Sequence, residues 1–556
     1  MTGVPIEHLQ LITHYMMNFR QRTLFYLAVL AGVVFLPATV SASEKNDSSQ
    51  YILTPKASPS PRINGAKVYG ARPGADFLYR IPCTGERPIL FSAEGLPKGL
   101  KLDENTGIIT GSVKKAGEYK VTLKAANSIG TVERDFKIVI GDKIALTPPM
   151  GWNSWNCWGN SVSQEKVMSS AQAMLDKGLV DYGWSFINID DGWQGLRGGK
   201  ANAIQPNSKF PDMKALGDFL HSNGLKLGIY SGPWVATYAG HCGESADTPD
   251  GKYDFIEKGI CDEFHKLDRS KMKRDSLWYF TKYKFVDVDA QQWADWGVDY
   301  LKYDWNPNDE YNVRLMADAL RATGRDIVYS LSNSSKVGMA SYITKYSNCW
   351  RTTGDIRDNW ANMSKIGFGQ DKWASFKRPG NWPDADMLVV GKVGWGPSTH
   401  DSKLSADEQY THITLWSILA SPLLIGCDMA EMDDFTLNLL CNSEVIDVNQ
   451  DELGWQGARI YGDKDYATYL KPLADGTVAI AMFNLSSSPK MIGFIPKAIG
   501  VMGSQVIRDL WRQKDIYTCG YQERWETEVA PHGCVFVKLT PVNKNFIPDG
   551  FDKNIR

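Results

Sequence analysis

Three stretches of the chain carry acidic residues at the end of an apolar run: Ile187-Asn188-Ile189-Asp190-Asp191, Tyr300-Leu301-Lys302-Tyr303-Asp304, and Trp350-Arg351-Thr352-Thr353-Gly354-Asp355. In the second, Lys302 and Asp304 stand two apart and so share one face of a strand. Val298, Tyr300, Leu301 and Tyr303 around them mark that strand as largely buried. An interior lysine is costly unless a carboxylate compensates it, so the pair points to a polar site more than to packing. A lone aspartate at a strand end usually caps the next helix; several from separate strands reverse that reading. Two carboxylates can hydrolyse a glycosidic bond by either of two routes. At about 5–5.5 Å one attacks the anomeric carbon, and at about 6.5–9.5 Å a water fits between them. The spacing in sequence leaves that choice open. Lys302 beside Asp304 is expected to hold it ionised, as a nucleophile must be. Asp355, with Arg351 four residues before it, suits an acid that later acts as base.

Carboxylate clusters also bind metals, but the chain has 8 His and no HxH or HExxH spacing. Its 9 Cys include no CxxC pair, which disfavours a thiolate zinc site. Cys242 and Cys261 are close enough in sequence to form a disulfide in an oxidising compartment, and the odd total leaves at least one thiol unpaired within the chain. With 61 Lys+Arg against 63 Asp+Glu, no nucleic acid or anionic membrane surface is expected as partner. The 19 Trp, 24 Tyr and 21 Phe would suit a glycan cleft, although large cores also consume aromatic residues.

The elements that must position these groups read as eight strands with helical patterns between most of them. The strands are expected at Met150–Trp155, Ser185–Asp190, Lys226–Ser231, Val298–Asp304, Asp326–Ser332, Cys349–Asp355, Ala385–Val390 and Leu419–Ile425. Helices are expected over Glu165–Lys177 and after a capping box at Ser405-Ala406-Asp407-Glu408. This pattern predicts a (β/α)8 TIM barrel over 147–454; a doubly wound open sheet is the rival, but no Gly-rich phosphate turn follows any strand. Catalytic groups on such a barrel sit where strands end at its C-terminal rim. Before it, residues 61–143 alternate apolar and polar with regular turns, as an immunoglobulin-like β-sandwich does. Residues 455–556 read as a C-terminal antiparallel β domain. At the front, Arg20, Arg22 and the apolar run Leu24 to Leu36 predict a signal peptide ending near Ala42, followed by a Pro/Ser-rich linker over 43–60. A periplasmic or secreted location and no membrane span are expected.

Five ordered motifs resemble glycoside hydrolase family 27, the α-galactosidases and α-N-acetylgalactosaminidases. They are Pro149–Trp155, Ile189–Trp193, Leu301–Asp304, Arg351–Asp355 and Trp382–Leu388, and the likeness covers about residues 147 to 455. The resemblance implies a retaining exo-glycosidase acting on terminal α-linked galactose, with α-galactoside glycans as partners and no metal or organic cofactor. It implies Asp304 as nucleophile and Asp355 as acid/base. It implies that Asp190 and Asp191 grip the 6- and 4-hydroxyls, Lys302 reaches the 3- and 4-hydroxyls, and Arg351 lies near the 2-position. Trp152 is expected to wall the sugar pocket, and Asp386 to contribute to substrate binding. The 61–143 module resembles the immunoglobulin-like modules of exported bacterial glycosidases, where spacing or packing is the expected role. Two departures bear on specificity. After strand five the chain carries Ser332, Asn333, Ser334 and Ser335, small residues that leave room at the sugar's 2-substituent, as in N-acetylgalactosaminidases. An excursion over about 244–285, with Tyr253, Trp278 and Tyr279, either walls the leaving-group side or lies in solvent. The alternatives are α-N-acetylgalactosaminidase, β-L-arabinopyranosidase and a non-catalytic glycan-binding protein; retention of Asp190 speaks against the second, and intact Asp304 and Asp355 against the third.

Overall fold

Eight short strands, each too apolar to face water on either side, close on one another as parallel neighbours. We label them β1 (Met150–Asn153), β2 (Phe186–Asn188), β3 (Lys226–Ser231), β4 (Val298–Asp304), β5 (Val328–Ser332), β6 (Cys349–Arg351), β7 (Trp382–Asp384) and β8 (Leu423–Ile425). The computed structural model describes residues 51–258 and 277–546. The expected signal peptide, the first part of the linker (residues 43–50) and Cys261 lie outside the described residues. Hydrogen bonding runs in the order β7-β6-β5-β4-β3-β2-β1-β8, every pair parallel. The ring closes beyond β7, where Leu388 forms a parallel bridge to Ile425. The strand expected at Ala385–Val390 is therefore displaced. Asp386 takes φ +84°, which a strand cannot contain, so the regular pairing falls on Trp382–Asp384 and only Leu388 of the later run rejoins the sheet. All seven residues of β4 are buried, as its composition predicts for a strand covered on both faces.

The Ser405 capping box forms: Ser405 Oγ accepts from the Glu408 amide, and the Glu408 carboxylate accepts from the Ser405 amide. The helix it starts, Ala406–Ile418, is buried along its whole length from Gln409 onward. One side lies on the barrel and the other under the C-terminal domain, where Trp511 Nε1 donates to Thr414 Oγ1 at 2.9 Å. That domain has a six-stranded antiparallel sheet and a two-stranded partner, Lys490–Phe494 with Trp525–Val529. Its Tyr469, Phe483, Trp511 and Phe536 belong to the same apolar core as the barrel.

The N-terminal sandwich has sheets of four and three strands over its own core, centred on Phe77, Phe91, Ile109, Leu123, Phe136 and Ile138. It meets the bottom of the barrel, opposite the strand ends that carry the carboxylates, through polar contacts. Arg72 pairs with Asp326 at 2.5 Å, Arg87 with Asp181 at 2.5 Å, and Arg80 donates to the Asn223 carbonyl at 2.9 Å. A cavity of about 580 Å³ remains along this seam. Residues 53 and 54 are tied to the barrel, where the Leu53 amide donates to Tyr410 Oη and the Thr54 amide to Asn438 Oδ1, each at 3.1 Å. No helix among the described residues is long and apolar enough to cross a membrane.

Candidate active site

At the C-terminal rim, the register of the parallel ring brings the expected polar residues to one place. Asp304 ends β4 opposite Ser332 at the end of β5; Lys302 lies opposite Tyr230 of β3 on one side and Ser330 on the other. Asp190 and Asp191 follow β2, Arg351 ends β6, and Asp355 hangs from the loop after it. The floor is an ion pair: Lys302 Nζ lies 2.8 Å from Asp190 Oδ2, which also accepts from Asn153 Nδ2 at 2.9 Å. The expected Lys302–Asp304 contact is thus corrected. Both residues share the inner face, but the ammonium bonds to an aspartate two strands away in the ring. Asp304 Oδ2 instead accepts from Tyr230 Oη at 3.0 Å.

The two carboxylates of interest differ in surroundings. Asp304 is 8% exposed. Burial pushes its carboxyl up to about 6, against the pull of Lys302, and the nearby charge of Asp355 adds to the rise. The side chain of Asp355 is 47% exposed and sits 3.2 Å from Arg351. Partial burial raises its pKa, but Arg351 and then Lys302 outweigh this and hold it below the usual carboxylate range. Burial also lifts Asp191 to about 7, although its Oδ2 accepts from the Ala239 amide at 2.8 Å. Three buried polar atoms at this rim, Asp304 Oδ1, Asp191 Oδ1 and Ser332 Oγ, have no protein hydrogen-bond partner. Such atoms are costly unless something polar meets them, and the hydroxyls of a sugar would.

Three expected contributors take other places. Trp152 is wholly buried, and its indole N–H donates to the Cys427 carbonyl at 2.9 Å, so it offers no face to a ligand. Alternation along β1 turns Asn153 to the site and Trp152 to the helices. The half-buried Trp155, whose amide donates to Asn153 Oδ1 at 2.9 Å, is the aromatic residue at that strand's rim. Asp386 is 2% exposed and is occupied by Arg351 and by the Ile356 amide at 2.7 Å; it positions Arg351 and the Asp355 loop instead of touching substrate. Ser335 is likewise committed, to Asn308 Oδ1 at 2.8 Å, whereas Ser332 is available. Tyr230, Asn153 and Tyr238 were not singled out from the sequence. Their only signal is position at or just beyond the end of a predicted strand.

The family described as Alpha galactosidase A matches residues 147–274 and 270–451. The Alpha galactosidase C-terminal beta sandwich domain matches 463–539, and an Ig domain family matches 33–141. Alpha-galactosidase 2 of Arabidopsis thaliana is 35% identical over 414 residues, 73% of this chain and 92% of the relative. A solved structure from Bacteroides fragilis, provisionally assigned as an alpha-galactosidase/melibiase, superposes with a TM-score of 0.76 at 35% identity, covering 89% of this chain and 100% of that one. The β-L-arabinopyranosidase of family GH27 from Geobacillus stearothermophilus superposes with a TM-score of 0.61 at 29% identity, covering 72% of this chain and 98% of that one.

Proposed function

The chain belongs to the alpha-galactosidase A family of melibiases, glycoside hydrolase family 27, and from that premise we propose that this α-galactosidase is a retaining exo-enzyme that releases terminal α-linked galactose by double displacement. Asp304 attacks the anomeric carbon while Asp355 protonates the departing oxygen. Asp355 then takes a proton from water, which opens the galactosyl–Asp304 ester and returns the sugar with its original configuration. The observation that carries this reading is the contrast between the two groups. A buried carboxylate stands over an ionic floor, where a sugar ring would rest, and a half-exposed one stands at the mouth, where a leaving group departs. Asp190, Asp191, Lys302, Arg351 and Ser332 supply hydrogen bonds to the ring hydroxyls, and interactions that tighten as the ring flattens lower the barrier. On aryl glycosides the α-galactoside is expected to give the highest kcat/KM, above the N-acetylamino analogue and the β-L-arabinopyranoside. A clear preference for either competitor would overturn the assignment. Export to a periplasm or medium is part of the same proposal, resting on the apolar segment near the N-terminus.

The protons of the free enzyme sit in the opposite order to the one the chemistry needs. Burial leaves the shared proton on Asp304, at about 6, while Arg351 keeps Asp355 charged. The charge of Asp355 raises the pKa of Asp304, so the proton of the second depends on the state of the first. A bound galactoside covers Asp355 and strips its water, which raises its pKa, while ring hydroxyls donating to Asp304 Oδ1 stabilise that charge. The proton thus changes carboxylate within the site, and the reactive form is the one with a single proton on the pair. Because that proton leaves the free enzyme near pH 6, kcat/KM is expected to fall about tenfold per pH unit above that value. A pH–rate profile checks this; a rate that stays level to pH 8 would mean the pair does not share a proton in this way.

A further inference from the structure

The chain between β3 and the short strand Tyr283–Lys284 leaves the barrel at the site itself. Gly232 is pressed so closely on the Asp304 backbone that a Cβ there would lie 2.7 Å from the Asp304 carbonyl oxygen. Seven residues later the Ala239 amide holds Asp191. Tyr238, immediately before that anchor, packs its ring 5.3 Å from Trp234 and 5.4 Å from Trp278; Trp278 Nε1 donates to the Thr237 carbonyl at 3.2 Å. Phe280, 45% exposed, continues the row at 6.4 Å from Trp234. Tyr238 and Trp278 are themselves only half-buried. Among the described residues of the excursion, Tyr253 and Phe255 are buried in a small local core, and Tyr279 Oη donates to Asp247 Oδ1 at 2.7 Å.

We propose that Tyr238 and Trp278, backed by the buried Trp234, form a leaving-group subsite that stacks on the pyranose ring attached to the galactose. The inference rests on the reading of Asp304 and Asp355 given above. Its place follows from what each tyrosine senses. Tyr230, on the floor, feels the charges of Asp304, Asp191 and Asp190. After its burial, the charges that act on Tyr238 are those of Asp304 and Asp355. Tyr238 therefore lies within reach of both carboxylates, beside the Ala239 amide that holds Asp191. The aromatic faces of Tyr238 and Trp278 suit the C–H face of a neutral sugar, and Phe280, with Lys284 Nζ 5.1 Å over its ring, continues the row.

The test compares two substrates on the full-length protein: α-galactosyl fluoride, whose leaving group has no ring, and an α-1,6-galactosyl-glucose disaccharide. In Trp278→Ala the ratio of kcat/KM for disaccharide to fluoride is expected to fall about tenfold, with the loss seen as a higher KM for the disaccharide. Trp278→Phe, which keeps a ring, is expected to restore most of the ratio, and Tyr238→Leu to lower it as Trp278→Ala does. A ratio that Trp278→Ala and Tyr238→Leu both leave unchanged would overturn the subsite alone. Failure of the unaltered protein to hydrolyse the fluoride would overturn the functional reading and the subsite with it.

Discussion

Asp304→Ala is expected to lower kcat/KM on an aryl α-galactoside by about 10⁴-fold or more, while the melting temperature at pH 7 holds or rises. The two halves of this expectation have one cause. Asp304 is enclosed at the end of β4, and burial makes its charge expensive enough to push its carboxyl up to about 6. Carrying that charge at pH 7 costs the folded state stability, and alanine removes the cost. The same expensive charge forms the bond to the anomeric carbon, so alanine also removes the chemistry. The offset is Tyr230 Oη, which loses its acceptor at 3.0 Å. Sodium azide supplied with a good leaving group is expected to restore turnover in this variant by entering the emptied space, giving the β-galactosyl azide. Undiminished hydrolysis by Asp304→Ala, or an α-configured azide product, would show that Asp304 does not attack the sugar.

Lys302→Met is expected to do damage of a different kind. The ammonium lies 2.8 Å from Asp190 inside the ring, and both side chains are nearly closed to water. Removing one partner strands the other's charge, at a cost of about 3–5 kcal/mol. Turnover is expected to drop about 10²–10³-fold, because a charged donor to the sugar has gone. Lys302 also pulls down the pKa of Asp304, so without it the pair holds its proton to higher pH and the alkaline limb of the profile moves upward. The double variant Lys302→Met/Asp190→Asn separates these effects. It no longer buries an unpaired charge, so denaturant unfolding should recover much of the lost stability while activity stays low. A double variant no more stable than Lys302→Met would show that the ion pair is not what holds this floor.

What could be read from the sequence was whatever stood out against an apolar background. A lysine and an aspartate inside a strand as buried as β4 have few meanings, and acidic residues ending three such strands have fewer. Strand parity on the doubly covered strand β1 was not readable. Both faces of Met150–Asn153 are apolar or buried, so alternation could not say that Trp152 faces the helices and Asn153 the site. Partners were also hidden. Lys302 could be seen to need a carboxylate, but the ring's register, which only the fold supplies, selects Asp190 over the adjacent-but-one Asp304. Asp386 was expected to bind sugar because it lies in the Trp382–Leu388 motif, and its left-handed backbone, beside its ion pair with Arg351, leaves no local mark. Tyr238 and Trp234 were lost among many aromatic residues, because their importance comes from a loop that returns to Asp191.

The two outer β domains differ in how they join the barrel, and that decides where the protein can be cut. The front module has a complete interior of its own and touches the barrel through ions and amides, groups that water accepts readily when exposed. The rear module shares its interior with the barrel across a helix that has no side made for solvent. Shortening the chain from the front trades one wettable surface for another and leaves a usable enzyme. Ending it near residue 455 lays bare the Tyr410, Thr411 and Thr414 side of that helix, and the smallest soluble catalyst this sequence can yield therefore keeps its last hundred or so residues.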